Sequence, residues 1–160
     1  MDMTGQTVVV TGAASATGES MVRRLKALGG IVIAIDSKRP RASADIYLQV
    51  DMSDFDSINE AVDVLPCGID MLCNVKDKNS RAACSDELSD YALGVKTLAE
   101  ESLALINSGG WIVNIAPLPE WGTTLNGSWH ERGIRVRRVE RNEATAHIEQ
   151  YLSSQITPCY

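Results

Sequence analysis

Val8-Val9-Val10 and Ile31-Val32-Ile33-Ala34-Ile35 are apolar at every position, and each run stops at a residue suited to a turn or a ligand: Thr11-Gly12 after the first, Asp36 after the second. A strand with one wet face alternates apolar and polar residues, whereas a run that is apolar throughout is buried on both faces. Between the two runs, Met21, Val22, Leu25 and Leu28 fall at helical spacing from Gly18 to Leu28, and Gly29-Gly30 stops the helix. Buried strand, helix, buried strand is the repeating unit of a parallel sheet covered on both sides.

The pattern continues along the chain. Ile46 to Val50 reads as a third strand ended by Asp51, and Ser53 with Asp56 as the capped start of a helix to Val64. Ile69 to Cys73 is a fourth strand and Asp86 to Ile106 a long helix. Trp111 to Ile115 follows the Gly109-Gly110 turn as a fifth strand, Ile134 to Val139 is a sixth, and Glu143 to Leu152 is a last helix. The polar stretch from Ser37 to Asp45 carries Pro40 and is expected to stay non-helical. Right-handed crossovers make this a doubly wound α/β fold of the Rossmann type, with about six strands in a single domain over residues 1–160.

A chain of 160 residues buries enough surface to fold without a disulfide or a metal. Cys67, Cys73, Cys84 and Cys159 show no CxxC spacing and only two histidines accompany them, so free thiols are expected and no metal site. The formal charge of −6 argues against bulk binding of nucleic acid or an anionic membrane. No apolar run approaches the roughly 18 residues of a membrane span. The start, MDMTGQTVVV, lacks a basic region, and the expectation is a soluble, cytoplasmic domain.

The first strand feeds Thr11-Gly12-Ala13-Ala14-Ser15-Ala16-Thr17-Gly18 directly into a helix. Backbone N–H groups and the partial positive charge at a helix N-terminus suit a pyrophosphate. Gly12 would make the sharp turn and Gly18 the close helix–strand packing. Ala16 replaces the bare backbone that would approach the phosphates. Asp36 follows Gly12 at close to the roughly 20-residue spacing at which a carboxylate takes a ribose 2′-hydroxyl. Its charge would repel a 2′-phosphate, which favours NAD over NADP, although Lys38, Arg39 and Arg41 lie nearby. A ligand-free tight turn and a turn aspartate are the plainer readings of the same residues.

These residues resemble the short-chain dehydrogenase/reductase family. Thr11-Gly12-x-x-x-Ala16-Thr17-Gly18 is similar to its TGxxxGxG loop with one Gly replaced, and Ser15 lies within it. Val50-Asp51-Met52 resembles the third-strand Asp whose side chain and following backbone hold adenine. Cys73-Asn74-Val75-Lys76 stands where NNAG normally sits, Gly94 to Leu105 resembles the helix after that strand, Gly110 to Ile115 resembles the GxIVNIS strand, and Gly133 to Val136 resembles GIRVN. The short connection between the second and third strands resembles the 3α-hydroxysteroid dehydrogenase/carbonyl reductase branch. The resemblance implies cofactor contacts at Gly12, Ser15, Ala16, Thr17, Gly18, Asp36, Asp51, Met52 and Asn74. It also implies oxidoreduction of a carbonyl or alcohol substrate, steroid-like in that branch.

The family's reaction uses a Tyr with a Lys four residues later, a Ser and a relay Asn. No Tyr-x-x-x-Lys occurs among the four tyrosines here, and Tyr91 stands at the relay position. Only Leu118 to Arg132 separates the fifth and sixth strands, so the catalytic helix is largely deleted. That segment offers His130 as a base and Ser128 as an orienting hydroxyl, while Tyr91 is a third candidate. Trp121 and Trp129 are expected to fill the gap. Arg132, Arg135, Arg137, Arg138 and Arg141 read either as the wet face of a strand or as an anion or partner site. The expected function is an NAD-binding oxidoreductase with weak or atypical activity. The alternatives are an inactive binding or partner module and a non-redox enzyme with a reshaped pocket. With one dimer helix missing, a monomer, a dimer unlike the family's four-helix bundle, or a complex with a partner protein is expected.

Overall fold

The runs that are apolar throughout become strands buried on both sides. The computed structural model describes residues 2–76, 85–115 and 131–139. Strands β1 (Thr7–Thr11), β2 (Ile31–Asp36), β3 (Ile46–Gln49), β4 (Ile69–Asn74), β5 (Ile106–Ile115) and β6 (Arg135–Val139) form a six-stranded sheet in the order β3-β2-β1-β4-β5-β6. Its pairings are parallel throughout. Helices α1 (Ala16–Ala27), α2 (Phe55–Val64) and α3 (Ser85–Ser102) make the crossovers, and residues 37–45 contain no helix, as Pro40 requires. This is the doubly wound α/β architecture.

Alternate residues of each strand serve opposite layers. Val8, Val10, Val32, Ala34, Met71 and Cys73 pack with Met21, Val22 and Leu25 of α1. Val9, Ile33, Ile35, Leu72 and Ile112 pack with Ile58 and Ala61 of α2 and Val95, Leu98 and Ala99 of α3. Each large side chain buried this way contributes about 1.5–3 kcal/mol of transfer free energy.

Three local expectations are corrected. The cap of α2 is Asp54, whose side chain accepts from the Asp56 N–H at 3.0 Å, while Ser53 instead donates to the Asp51 carboxylate. The long helix ends at Ser102; a single 3₁₀ turn, Leu103–Leu105, follows, and Ile106 opens β5 opposite Ile69. Apolar periodicity runs on through Leu103 and Ile106, but strand pairing claims the last of these. Gly109-Gly110 is an irregularity inside β5 rather than a turn before it: the β4–β5 register shifts between Ile69 and Met71, with Gly109 at φ +75°.

Ile134 is buried, and Arg135 and Arg137 point to solvent on β6, so the alternating strand reading describes this part of the arginine cluster. The Arg135 guanidinium stacks 3.8 Å from the centre of the Trp111 ring and donates to the Gly109 carbonyl. Arg132 donates to the Ile106 carbonyl. Cys67 and Cys73 are free thiols. No metal-binding group of His, Cys, Asp and Glu occurs among the described residues, and no described helix is long and apolar enough to cross a membrane. Cys84, Cys159, Arg141, Trp121, Trp129 and the expected last helix lie outside the described residues.

Candidate functional site

From β1 the connections run outward to β2 and β3, and from β4 outward to β5 and β6. The strand order therefore reverses between β1 and β4, and such a switch point leaves a crevice beyond the carboxyl ends of the strands. Four strand ends meet there: Thr11-Gly12 of β1, Asp36 of β2, the Val50-Asp51-Met52 turn after β3, and Asn74-Val75 of β4.

Gly12 has φ +64°, and a Cβ at that position would lie 2.1 Å from the Val75 carbonyl oxygen. A Cβ on Gly18 would lie 2.0 Å from the Gly12 carbonyl oxygen. Both glycines are thus dictated by backbone contact, at the turn and at the helix–strand approach. Ser15 closes the loop between them. Its Oγ donates to the Gly12 carbonyl at 2.7 Å and accepts from the Gly18 N–H at 3.0 Å, capping α1. Ala16 and Thr17 form the first turn of α1, at the positive end of the helix, with Ala16 exposed and Thr17 buried.

Asp36 is half-buried at the end of β2. Its Oδ2 accepts from the Ala14 N–H at 2.9 Å and its Oδ1 from the Lys38 N–H at 3.1 Å. The carboxylate is therefore fixed against the glycine loop; Oδ1 also accepts from Ser37 Oγ at 3.4 Å, and Oδ2 keeps lone-pair capacity for a further donor. Asp51 accepts from both the N–H and the Oγ of Ser53, and these bonds hold its carboxyl below the usual carboxylate range. Met52 beside it is buried.

Asn74 is completely buried, and its amide bonds to both neighbouring strands. It accepts from Thr11 Oγ1 at 3.1 Å and donates to Asn114 Oδ1 at 2.9 Å. Thr11, Asn74 and Asn114 stand in register across β1, β4 and β5. Their side chains join three strands beneath the crevice floor. Thr11 and Asn114 were not among the expected site residues, although a polar residue at or next to the end of an apolar run is visible in the sequence at each position.

Tyr91 of α3 lies against the same floor, its Oη donating to the Val75 carbonyl at 3.1 Å. Burial, together with the charge of Asp36, raises the phenol above its ordinary value. Lys76 Nζ lies 4.2 Å from the centre of its ring. Lys96, five residues along α3, pairs with Glu100 instead. His130 and Ser128 lie outside the described residues. A dinucleotide would find here a left-handed glycine turn, a helix N-terminus, and a carboxylate one strand away, which is the donor and acceptor set it requires.

No family model matches the chain. Over 127 residues it is 35% identical to the coniferyl-alcohol dehydrogenase of Pseudomonas sp. (strain HR199 / DSM 7063), covering 78% of this chain and 50% of that protein. The chain thus spans about half the length of the curated relative it matches. Among solved structures, a 3-ketoacyl-(acyl-carrier-protein) reductase from Brucella melitensis complexed with NADH superposes with a TM-score of 0.65 at 19% identity, over 87% of this chain and 76% of that one. BdcA, a protein of E. coli, in complex with NADPH superposes with a TM-score of 0.60 at 18% identity, over 86% and 70%.

Proposed function

This chain belongs to the short-chain dehydrogenase/reductase family, and from that premise we propose that it binds a nicotinamide dinucleotide in the crevice above β1, β2 and β4, taking NAD in preference to NADP. One observation carries the preference: Asp36 is held at the end of β2 by the Ala14 N–H, inside the loop that Gly12 and Gly18 define. Its carboxylate accepts from ribose hydroxyls and repels a 2′-phosphate. Of the nearby cations, Arg39 stacks 5.5 Å from the centre of the Tyr47 ring, whose hydroxyl donates to the Asp36 carbonyl. The α1 N-terminus receives the pyrophosphate, and Asp51 with Met52 flanks the adenine.

The bound cofactor supplies hydride chemistry, and the reaction class is oxidoreduction of an alcohol or carbonyl. Coniferyl alcohol is the first substrate to assay, given the relative's name. Proton transfer falls to His130, with Ser128 orienting the substrate oxygen.

Calorimetric titration with NAD and NADP tests the reading. NAD should bind more tightly to the wild-type chain, and Asp36→Ala should narrow or reverse the preference. Asp36→Asn keeps an acceptor for the Ala14 N–H and isolates the effect of charge. Tighter binding of NADP by the wild type would sink the assignment.

A further inference from the structure

We infer that Tyr91 is a positioning residue, a phenol bolt that locks the Gly12 turn to the end of β4 and so shapes one half of the crevice; this rests on the nucleotide-binding reading above. Tyr91 and Gly94 sit three residues apart on α3, hence on one helix face. Gly94 lets the helix press directly on the turn after β3, since a Cβ there would lie 1.8 Å from the Met52 carbonyl oxygen. Tyr91 reaches the opposite side of the crevice, where its Oη donates to the Val75 carbonyl and lies 3.3 Å from the point a Gly12 Cβ would occupy. One face of one helix therefore supports both turns, and Tyr91 serves the one beneath the pyrophosphate and beyond.

The bolt extends a short run of bonds around the turn. The Val75 N–H donates to the Thr11 carbonyl at 3.2 Å, the Val75 carbonyl accepts the Tyr91 hydroxyl, and the Ala13 N–H donates to the Ile35 carbonyl at 3.4 Å. Without the hydroxyl, the Val75 carbonyl is left without that donor at the end of a buried strand, and the Gly12 turn loses its backing. Tyr91 touches none of the adenine side: Asp51 is held by Ser53, and Asp36 keeps the Lys38 N–H in addition to its bond to the loop. The hydroxyl is engaged by the Val75 carbonyl and by the Thr11 side chain, so Tyr91 acts through the loop and not as the proton donor.

Tyr91→Phe separates these roles by two measurements on the full chain. A net hydrogen bond of ordinary strength predicts about fivefold weaker NAD binding, with AMP binding unchanged within about twofold. In the nucleotide-free protein, amide exchange at Ala13 and Val75 should quicken about tenfold in Tyr91→Phe, while α2 exchanges as in the wild type. Equal weakening of NAD and AMP, or unchanged exchange at Ala13 and Val75, would overturn the inference. A wild-type chain that binds neither nucleotide refutes the nucleotide reading alone, and the exchange comparison still decides whether Tyr91 holds the turn.

Discussion

At Gly18 an added Cβ would lie 2.0 Å from a backbone oxygen, and at Gly94 it would lie 1.8 Å from another, so backbone rather than a flexible side chain has to yield. Gly109 is the useful contrast, with φ +75° and nothing within 4 Å of an added Cβ. Gly18→Ala and Gly94→Ala should each cost about 3 kcal/mol or more by overpacking, and Gly109→Ala only about 1–2 kcal/mol for the left-handed backbone. Urea denaturation of the three variants checks the ranking. At Cys73, complete burial pushes the thiol up to about 12, while Cys67 is exposed. The thiolate is the reactive species, so iodoacetamide at pH 8 should modify Cys67 in the native protein and leave Cys73 intact, as read by peptide mass spectrometry.

Elements are joined by a few polar contacts whose removal has a defined cost. Asp54 caps α2, and Asp54→Ala should destabilise the protein by about 1 kcal/mol, with Ser53→Ala costing less. Asp45 ties the end of α1 to the start of β2: it accepts from Lys26 Nζ at 2.7 Å and from the Val32 N–H at 2.7 Å. These bonds, Lys26 first, hold its carboxyl below the unfolded value. The stabilisation is therefore fully present above the unfolded pKa of about 4, and is lost as pH falls through the lower folded value. Both partners are over a third exposed, so Asp45→Asn should cost no more than about 1 kcal/mol at pH 7 and should flatten the acid limb of the stability curve. Thermal melts between pH 2 and 7 read both effects. Leu98 of α3, Leu103 of the 3₁₀ turn and Ile106 of β5 are buried within the fold, whereas Leu93 of α3 is 50% exposed.

For the molecule as a whole, the sheet supplies a crevice and the 160 residues supply no Tyr-x-x-x-Lys to work beside it. General acid–base catalysis is worth about 10²–10⁴-fold, so a proton donor less well placed than a Tyr–Lys pair should leave up to roughly 3–5 kcal/mol of extra barrier even with a dinucleotide well placed. Turnover of coniferyl alcohol, simple ketones and steroids by this chain should be undetectable or slow in a spectrophotometric NADH assay, and His130→Ala should remove any residual rate. Robust turnover that survives His130→Ala would place the proton donor elsewhere.

The sequence by itself determined the architecture. Strand runs apolar on both faces, such as Val8–Val10 and Ile31–Ile35, have no stable place except inside a covered parallel sheet, and the glycines at 12 and 18 mark its first turn because no other residue fits the backbone there. Asp36 and Asp51 were legible as charges at strand ends. What tertiary structure alone decided are the contacts between segments distant in sequence. Periodicity placed Tyr91 on a helix but gave no sign that its hydroxyl meets Val75 or that Gly94 meets Met52. Local pattern likewise favoured helix at Ile106, until pairing with Ile69 drew it into β5. Local propensity is worth tenths of a kcal/mol per residue, whereas buried pairing and packing are worth kilocalories, so where the two disagree the long-range contact prevails.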